Sequence, residues 1–145
     1  MAPAVGRIVR SNNQDYPVGM RVSTTSSWQD YEVISPQKRP IIPLLDGLTY
    51  LESMGRFGLN SLTAYFGLTE VGQIQSGETL VVSGAAGSTG SIAAQIGKIK
   101  ACRVIGIAGG PDKCRWLTDT CGIDHAIDYK AEDVADRLAS LCPDG

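Results

Sequence analysis

The alternation that runs from Ser76 onward limits this chain more than any other feature. Thr79-Leu80-Val81-Val82 is a continuous apolar run, as expected of a strand covered on both faces. An amphipathic stretch follows, in which Ile92, Ala93, Ile96 and Ile99 share one helical stripe and Ser91, Gln95 and Lys98 lie opposite. The second apolar run is Val104-Ile105-Gly106-Ile107-Ala108. Gly110-Pro111-Asp112 then opens another helix, with proline suited to the first turn and an acid near the positive end. Its apolar positions are Cys114, Leu117 and Cys121. Ala126-Ile127 marks a short third strand, and Val134, Leu138 and Leu141 give a third helical stripe. Three strands alternating with three helices in about 70 residues require right-handed crossovers and a parallel sheet, so the expected class is α/β.

The junction between the first of these strands and its helix carries the chemistry. A dinucleotide's pyrophosphate needs backbone N–H groups and the positive end of a helix, with no side chain in the way. Ala85-Ala86-Gly87-Ser88-Thr89-Gly90 fits the spacing G-x-G-x-x-G with alanine in place of the first glycine. Gly87 would admit the phosphates, and Gly90 would let the helix pack on the strand. A tight turn without a ligand is the bland alternative, but the strand before and the amphipathic helix after supply the confirming context. A P-loop is excluded, because Gly97-Lys98 is followed by Ile99 and falls within a helix. The second strand ends in Ala108-Gly109-Gly110, with no acid to hold a ribose 2′-hydroxyl. Lys113 follows and can pair with a 2′-phosphate, although Asp112 beside it would repel one. The missing acid favours NADP.

Upstream the texture changes. Residues 1–40 are rich in Ser, Asn and Pro, with β-like pieces at Val5 to Arg10 and Trp28 to Ile34, where Tyr31 and Val33 share a face. This stretch is too small for a domain and reads as the end of something larger. In residues 41–75, Ile41-Ile42-Pro43-Leu44-Leu45 is broken by proline. Asn60 or Ser61 is a candidate N-cap for a helix through Leu62-Thr63-Ala64-Tyr65-Phe66-Gly67-Leu68.

Composition removes several function classes. Lys plus Arg is 13 against 15 Asp plus Glu, a net charge of −2, without the basic stripe of a nucleic-acid binder. No apolar run approaches the roughly 20 residues of a membrane span. Met1-Ala2-Pro3-Ala4-Val5 lacks the basic and apolar regions of a signal peptide, so a cytoplasmic location is expected. Cys102, Cys114, Cys121 and Cys142 form no C-x-x-C pair, and His125 is the only histidine. Cys114, Cys121 and His125 could be imagined around zinc, but buried reduced thiols are the stronger reading and no metal is expected.

Four segments together resemble a known family: Thr63-Ala64-Tyr65-Phe66-Gly67-Leu68, Val81-Val82-Ser83-Gly84-Ala85-Ala86-Gly87 through Gln95-Ile96-Gly97, Gly109-Gly110-Pro111-Asp112-Lys113-Cys114, and Ile127-Asp128-Tyr129-Lys130. They are similar to the zinc-independent medium-chain dehydrogenase/reductases. The nearest branch is the NADP-dependent alkenal/enone reductases, which include the prostaglandin reductases and leukotriene B4 dehydrogenase. Val5-Gly6-Arg7-Ile8-Val9 and Gly19-Met20-Arg21-Val22 resemble the end of that family's GroES-like catalytic domain. The resemblance implies a GroES-like remnant at 1–40, a linker and helix at 41–75, and the first half of a Rossmann doubly wound sheet at 76–145.

It also implies NADPH-dependent reduction of a C=C bond next to a carbonyl, with hydride passing to the β-carbon and a proton to the α-carbon. By position, Gly87, Ser88, Thr89 and Gly90 would contact the pyrophosphate, and Lys113 and Tyr129 the 2′-phosphate. Thr63 would sit near the nicotinamide, and the loop from Thr24 and Thr25 to Trp28 would face the substrate pocket. Gly58-Leu59-Asn60-Ser61 departs from the family's frequent Gly-Met-Pro-Gly, and Thr24 to Ser27 lacks the aromatics of some members. The family begins before Met1 and continues beyond Gly145, so an internal piece or truncated reading frame is expected. Its full-length relatives are often dimers. No catalytic acid or base is assigned, since Tyr65 and Tyr129 read as packing and cofactor residues. A quinone reductase of the same superfamily and a non-catalytic nucleotide-binding piece are the alternatives.

Overall fold

The computed structural model describes residues 1–143, which divide into two compact units at Leu59 and Asn60. In the first, β1 (Ala2–Arg7), β2 (Arg21–Ser26) and β3 (Ile42–Pro43) form an antiparallel sheet in that order. The β1–β2 register runs from Ala2 opposite Ser26 to Arg7 opposite Arg21. Helix α1 (Tyr50–Met54) starts at a reciprocal cap. Thr49 Oγ1 accepts the Glu52 N–H at 3.1 Å, and Glu52 Oε2 accepts the Thr49 N–H at 2.9 Å. The Arg21 guanidinium donates to the Leu48 carbonyl and stacks over the Tyr50 ring at 4.8 Å.

The strand expected at Trp28 to Ile34 is absent. The strand lies at Arg21–Ser26 instead, because those residues take the place beside β1. A period-two pattern makes a strand only where a partner remains to pair with it. Residues 27–40 form a loop held by side chains. Ser26 Oγ donates to Glu32 Oε2 at 2.6 Å, Arg39 pairs with Glu32, and Arg39 Nη1 donates to the Thr25 carbonyl at 2.9 Å.

The second unit opens with α2 (Leu59–Phe66) and a π-helical turn, Gly67–Val71. Asn60 therefore lies within the helix rather than capping it. Strand β4 (Thr79–Ser83), helix α3 (Ser88–Ile99), strand β5 (Arg103–Ala108), helix α4 (Pro111–Asp119), strand β6 (His125–Asp128) and helix α5 (Val134–Leu141) follow. The strands form a parallel sheet in the order β4-β5-β6, with β5 central. Val104 and Ile105 of β5, Ile127 of β6 and Leu117 of α4 are fully buried.

Two details differ from expectation. Among the described residues β4 is an edge strand, with Val82 buried and Val81 exposed, so its apolar run is not covered on both faces. Helix α3 meets the sheet through Ala94 and Gly97, while Ile99 is exposed. A Cβ at position 97 would stand 2.6 Å from Leu80 Cδ2 and 2.9 Å from Val104 Cγ2. The helix therefore packs through its smallest residues, and the larger stripe is rotated away from the point of closest approach.

Candidate dinucleotide-binding site

Strand β4 leaves the sheet through Gly84, whose φ of +61° lies in the left-handed region that a side chain disfavours. Ala85 returns at once, its N–H donating to the Ile107 carbonyl of β5 at 3.0 Å. Gly87 is the N-cap of α3, in extended geometry, and its N–H donates to the Gly84 carbonyl at 2.9 Å. No side chain caps this helix among the described residues, so its first-turn N–H groups at Ser88, Thr89 and Gly90 have no side-chain cap. A Cβ at Gly90 would stand 2.4 Å from the Gly84 oxygen and 2.9 Å from Ala85 Cα. The tight turn is made by Gly84, one residue before the alanine that stands in place of the first glycine, so the glycines fall at Gly84-x-x-Gly87-x-x-Gly90. From α2, Asn60 Nδ2 donates to Ser88 Oγ at 2.7 Å and holds that hydroxyl at the helix mouth.

The second part of the site lies where β5 and β6 end. Gly110, at φ +101°, precedes Pro111 in the first turn of α4, and this helix also lacks a side-chain cap. Lys113 is exposed in that first turn and has no ion-pair partner among the described residues. Asp112, 93% exposed at its side chain, points to Arg115 at 3.5 Å. Asp128 Oδ1 accepts the Gly110 N–H at 2.8 Å and the Lys130 N–H at 3.0 Å. The Gly110 and then the Lys130 amide hold the Asp128 carboxyl below its usual range, outweighing partial burial, and the Lys130 charge adds to them. The Tyr129 N–H donates to the Ala108 carbonyl at 3.1 Å. Its ring rests on Gly109, where a Cβ would meet Cζ and Oη at 2.7 Å.

The structure thus brings Gly87, Ser88, Thr89 and Gly90 together at one helix start, with Lys113 and Tyr129 flanking the Gly109-Gly110 turn. Thr63 is exposed on α2. Thr24 and Thr25 lie in the antiparallel unit and are strand residues of β2, not loop residues as expected. Thr24 Oγ1 donates to the Pro40 carbonyl at 2.8 Å. Trp28 is 99% exposed beside an open hollow of about 540 Å³ lined by Ala2, Pro3, Ala4, Ser26 and Asp30. Gly84, Asn60 and Asp128, named in the sequence without a part in the site, join it in the structure. Among the described residues, no group of three or more His, Cys, Asp or Glu side chains could hold a metal ion. No described helix is long and apolar enough to cross a membrane.

A parallel βαβ sheet whose first strand turns through three spaced glycines into a helix without a side-chain cap has the form of a nucleotide-binding α/β unit. No family model matches the chain. It is 44% identical over 142 residues to the NADPH-dependent curcumin reductase of Escherichia coli strain K12, covering 97% of this chain and 41% of that protein. It is 36% identical over 148 residues to prostaglandin reductase 1 of Bos taurus, covering 100% of this chain and 45% of that protein. CurA from Vibrio vulnificus in complex with NADPH superposes with a TM-score of 0.86 and 42% identity, across 99% of this chain and 42% of CurA. Escherichia coli quinone oxidoreductase complexed with NADPH gives 0.78 and 26%, across 97% and 44%. The chain's homologues are therefore medium-chain dehydrogenase/reductases of the quinone and enone reductase branch. It spans less than half the length of these relatives.

Proposed function

We propose that this chain carries the NADPH-binding part of an oxidoreductase that reduces the activated C=C bond of an alkenal or enone. The observation that carries the reading is the glycine cradle at the mouth of α3, where a Cβ at Gly90 would strike the Gly84 oxygen and no side chain caps the helix. The residues present fit a dinucleotide. The backbone N–H groups of Ser88, Thr89 and Gly90, with Gly87 opening the approach, hold the pyrophosphate. Lys113 and the Tyr129 hydroxyl hold a 2′-phosphate, and β5 ends without the acid that would favour a bare ribose. Thr63 lies toward the nicotinamide. When bound, the reduced cofactor supplies a hydride to the β-carbon, with a proton going to the α-carbon.

In the same reading, residues 1–40 are the end of a GroES-like domain, 41–75 a linker and helix, and 76–145 the first part of the cofactor domain. Thr24, Thr25 and Trp28 serve the substrate side. The enzyme works without zinc, in the cytoplasm, on a small molecule rather than on nucleic acid or membrane, and pairs as a homodimer in its full-length form. The enone assignment is favoured over a quinone by identities of 44% and 36% to the curcumin and prostaglandin reductases, against 26% to the quinone oxidoreductase.

Fluorescence titration of the chain with NADPH and NADH tests the cofactor assignment. NADPH should bind at least tenfold more tightly, a difference of about 1.4 kcal/mol, and Lys113→Glu should abolish that preference. Equal affinity for the two cofactors, unmoved by Lys113→Glu, would refute it. Turnover of a 2-alkenal by the full-length protein tests the reaction, and loss of the C=C absorbance without quinone reduction is the expected result.

A further inference from the structure

We propose that Asp128 is the positioning residue for recognition of the 2′-phosphate, fixing both Gly110, which leads into Lys113, and the turn that carries Tyr129. The inference rests on the NADPH reading above and assigns Asp128 no contact with the cofactor. Two adjacent glycines follow β5, and glycine pairs give a chain much freedom to lose on folding. Gly110 has no side chain and α4 has no capping side chain, so the entry to that helix is tied from outside. The tie is the Gly110 N–H on Asp128 Oδ1 at 2.8 Å, which spans 18 residues of sequence. The same oxygen accepts the Lys130 N–H and so shapes the turn through Tyr129.

Asp128 is itself anchored. Its N–H donates to Glu132 Oε1 at 3.0 Å, and its carbonyl accepts the Ala131 and Glu132 N–H groups at 3.0 and 2.9 Å. The ring of Tyr129 then lies on Gly109, next to the residue that the carboxylate holds. An acid beside a 2′-phosphate would repel it if it faced the ligand. Here two backbone donors engage one carboxylate oxygen, so the acid builds the phosphate site without occupying it.

Both hydrogen bonds fall on Oδ1, and an asparagine amide oxygen can accept the same pair. This separates positioning from charge. Kd values for NADPH and NADH are measured for the wild-type chain, Asp128→Ala and Asp128→Asn, with circular dichroism to confirm folding. Asp128→Ala should weaken NADPH at least tenfold and NADH less than twofold, and Asp128→Asn should stay within threefold of wild type for both. The proposal is overturned if Asp128→Ala binds NADPH as wild type does, if it weakens both cofactors equally, or if Asp128→Asn binds NADPH as poorly as Asp128→Ala. Should Asp128→Ala not fold, Asp128→Val, which suits a strand and removes both acceptors, takes its place under the same criteria, with Asp128→Asn as its comparison. A wild-type chain without preference for NADPH refutes the cofactor reading, and this proposal with it. A preference that survives Asp128→Ala refutes this proposal only.

Discussion

Residues 60–143 enclose Val104, Ile105, Leu117 and Ile127 completely, whereas Val22, at 8% exposure, is the one buried hydrophobic side chain in residues 1–59. The first region is built from backbone geometry and a sealed core, with its cradle placed by Gly84 at positive φ and by Gly90, where a Cβ would strike backbone. The second relies on polar ties near the surface: Glu32 with Arg39 and Ser26, Thr24 with Pro40, and Arg21 with Leu48. Such ties contribute little individually, and the Glu32–Arg39 ion pair among them responds to salt and pH. The cofactor candidates therefore stand on a sealed core, and the substrate candidates Thr24, Thr25 and Trp28 stand beside a loop whose Glu32–Arg39 pair salt and acid can loosen.

The sharpest way to break this comparison is to hollow each region. Leu117→Ala should cost about 3 kcal/mol, and Val22→Ala about 1 kcal/mol, in urea unfolding followed by circular dichroism. Equal losses would erase the distinction. Next in size, Gly90→Ala should cost about 2 kcal/mol, since the new methyl must displace the Gly84 carbonyl, and should also abolish NADPH binding. A thermal melt and a titration check both effects, and an unchanged variant would mean that the Gly84 carbonyl gives way easily. Asn60→Ala removes only the tether on Ser88, so NADPH affinity should fall about threefold to tenfold with the melting temperature unchanged.

The smallest effect sharpens the other side of the comparison. Hydrogen bonds from Arg39 and then Ser26 hold the Glu32 carboxyl at about 2, against an ordinary value of 4.5. On acidification the unfolded chain takes up this proton first. The tie therefore stabilises the loop fully above pH 4.5 and is lost as pH falls toward 2. Amide exchange in residues 27–40 should rise across that window, and Glu32→Gln should flatten the rise. Exchange that ignores both would show that the loop is held by something else.

The cradle and the α/β order were legible because their signals are local. Strand, glycine turn and helix follow one another, and each residue's backbone requirement shows in its type. Trp28 to Ile34 misled because a strand needs a partner, and that choice lay between two segments competing for β1. The stripe on α3 misled because Gly97, which carries no apolar signal, is what the sheet meets. The bonds of Asn60 to Ser88 and of Asp128 to Gly110 were not legible because they join residues 28 and 18 positions apart, a distance at which spacing says nothing. Asp128 even stood inside a recognised motif, yet its partner is a backbone N–H that carries no residue-type signature.

The fit at Gly97 has a genetic consequence. Positions 80, 97 and 104 share one small volume, so they are not free to vary singly. An alanine at 97 becomes acceptable only alongside a trimmed side chain at Leu80 or Val104, and a second-site suppressor screen starting from Gly97→Ala should return changes at those two positions before any others.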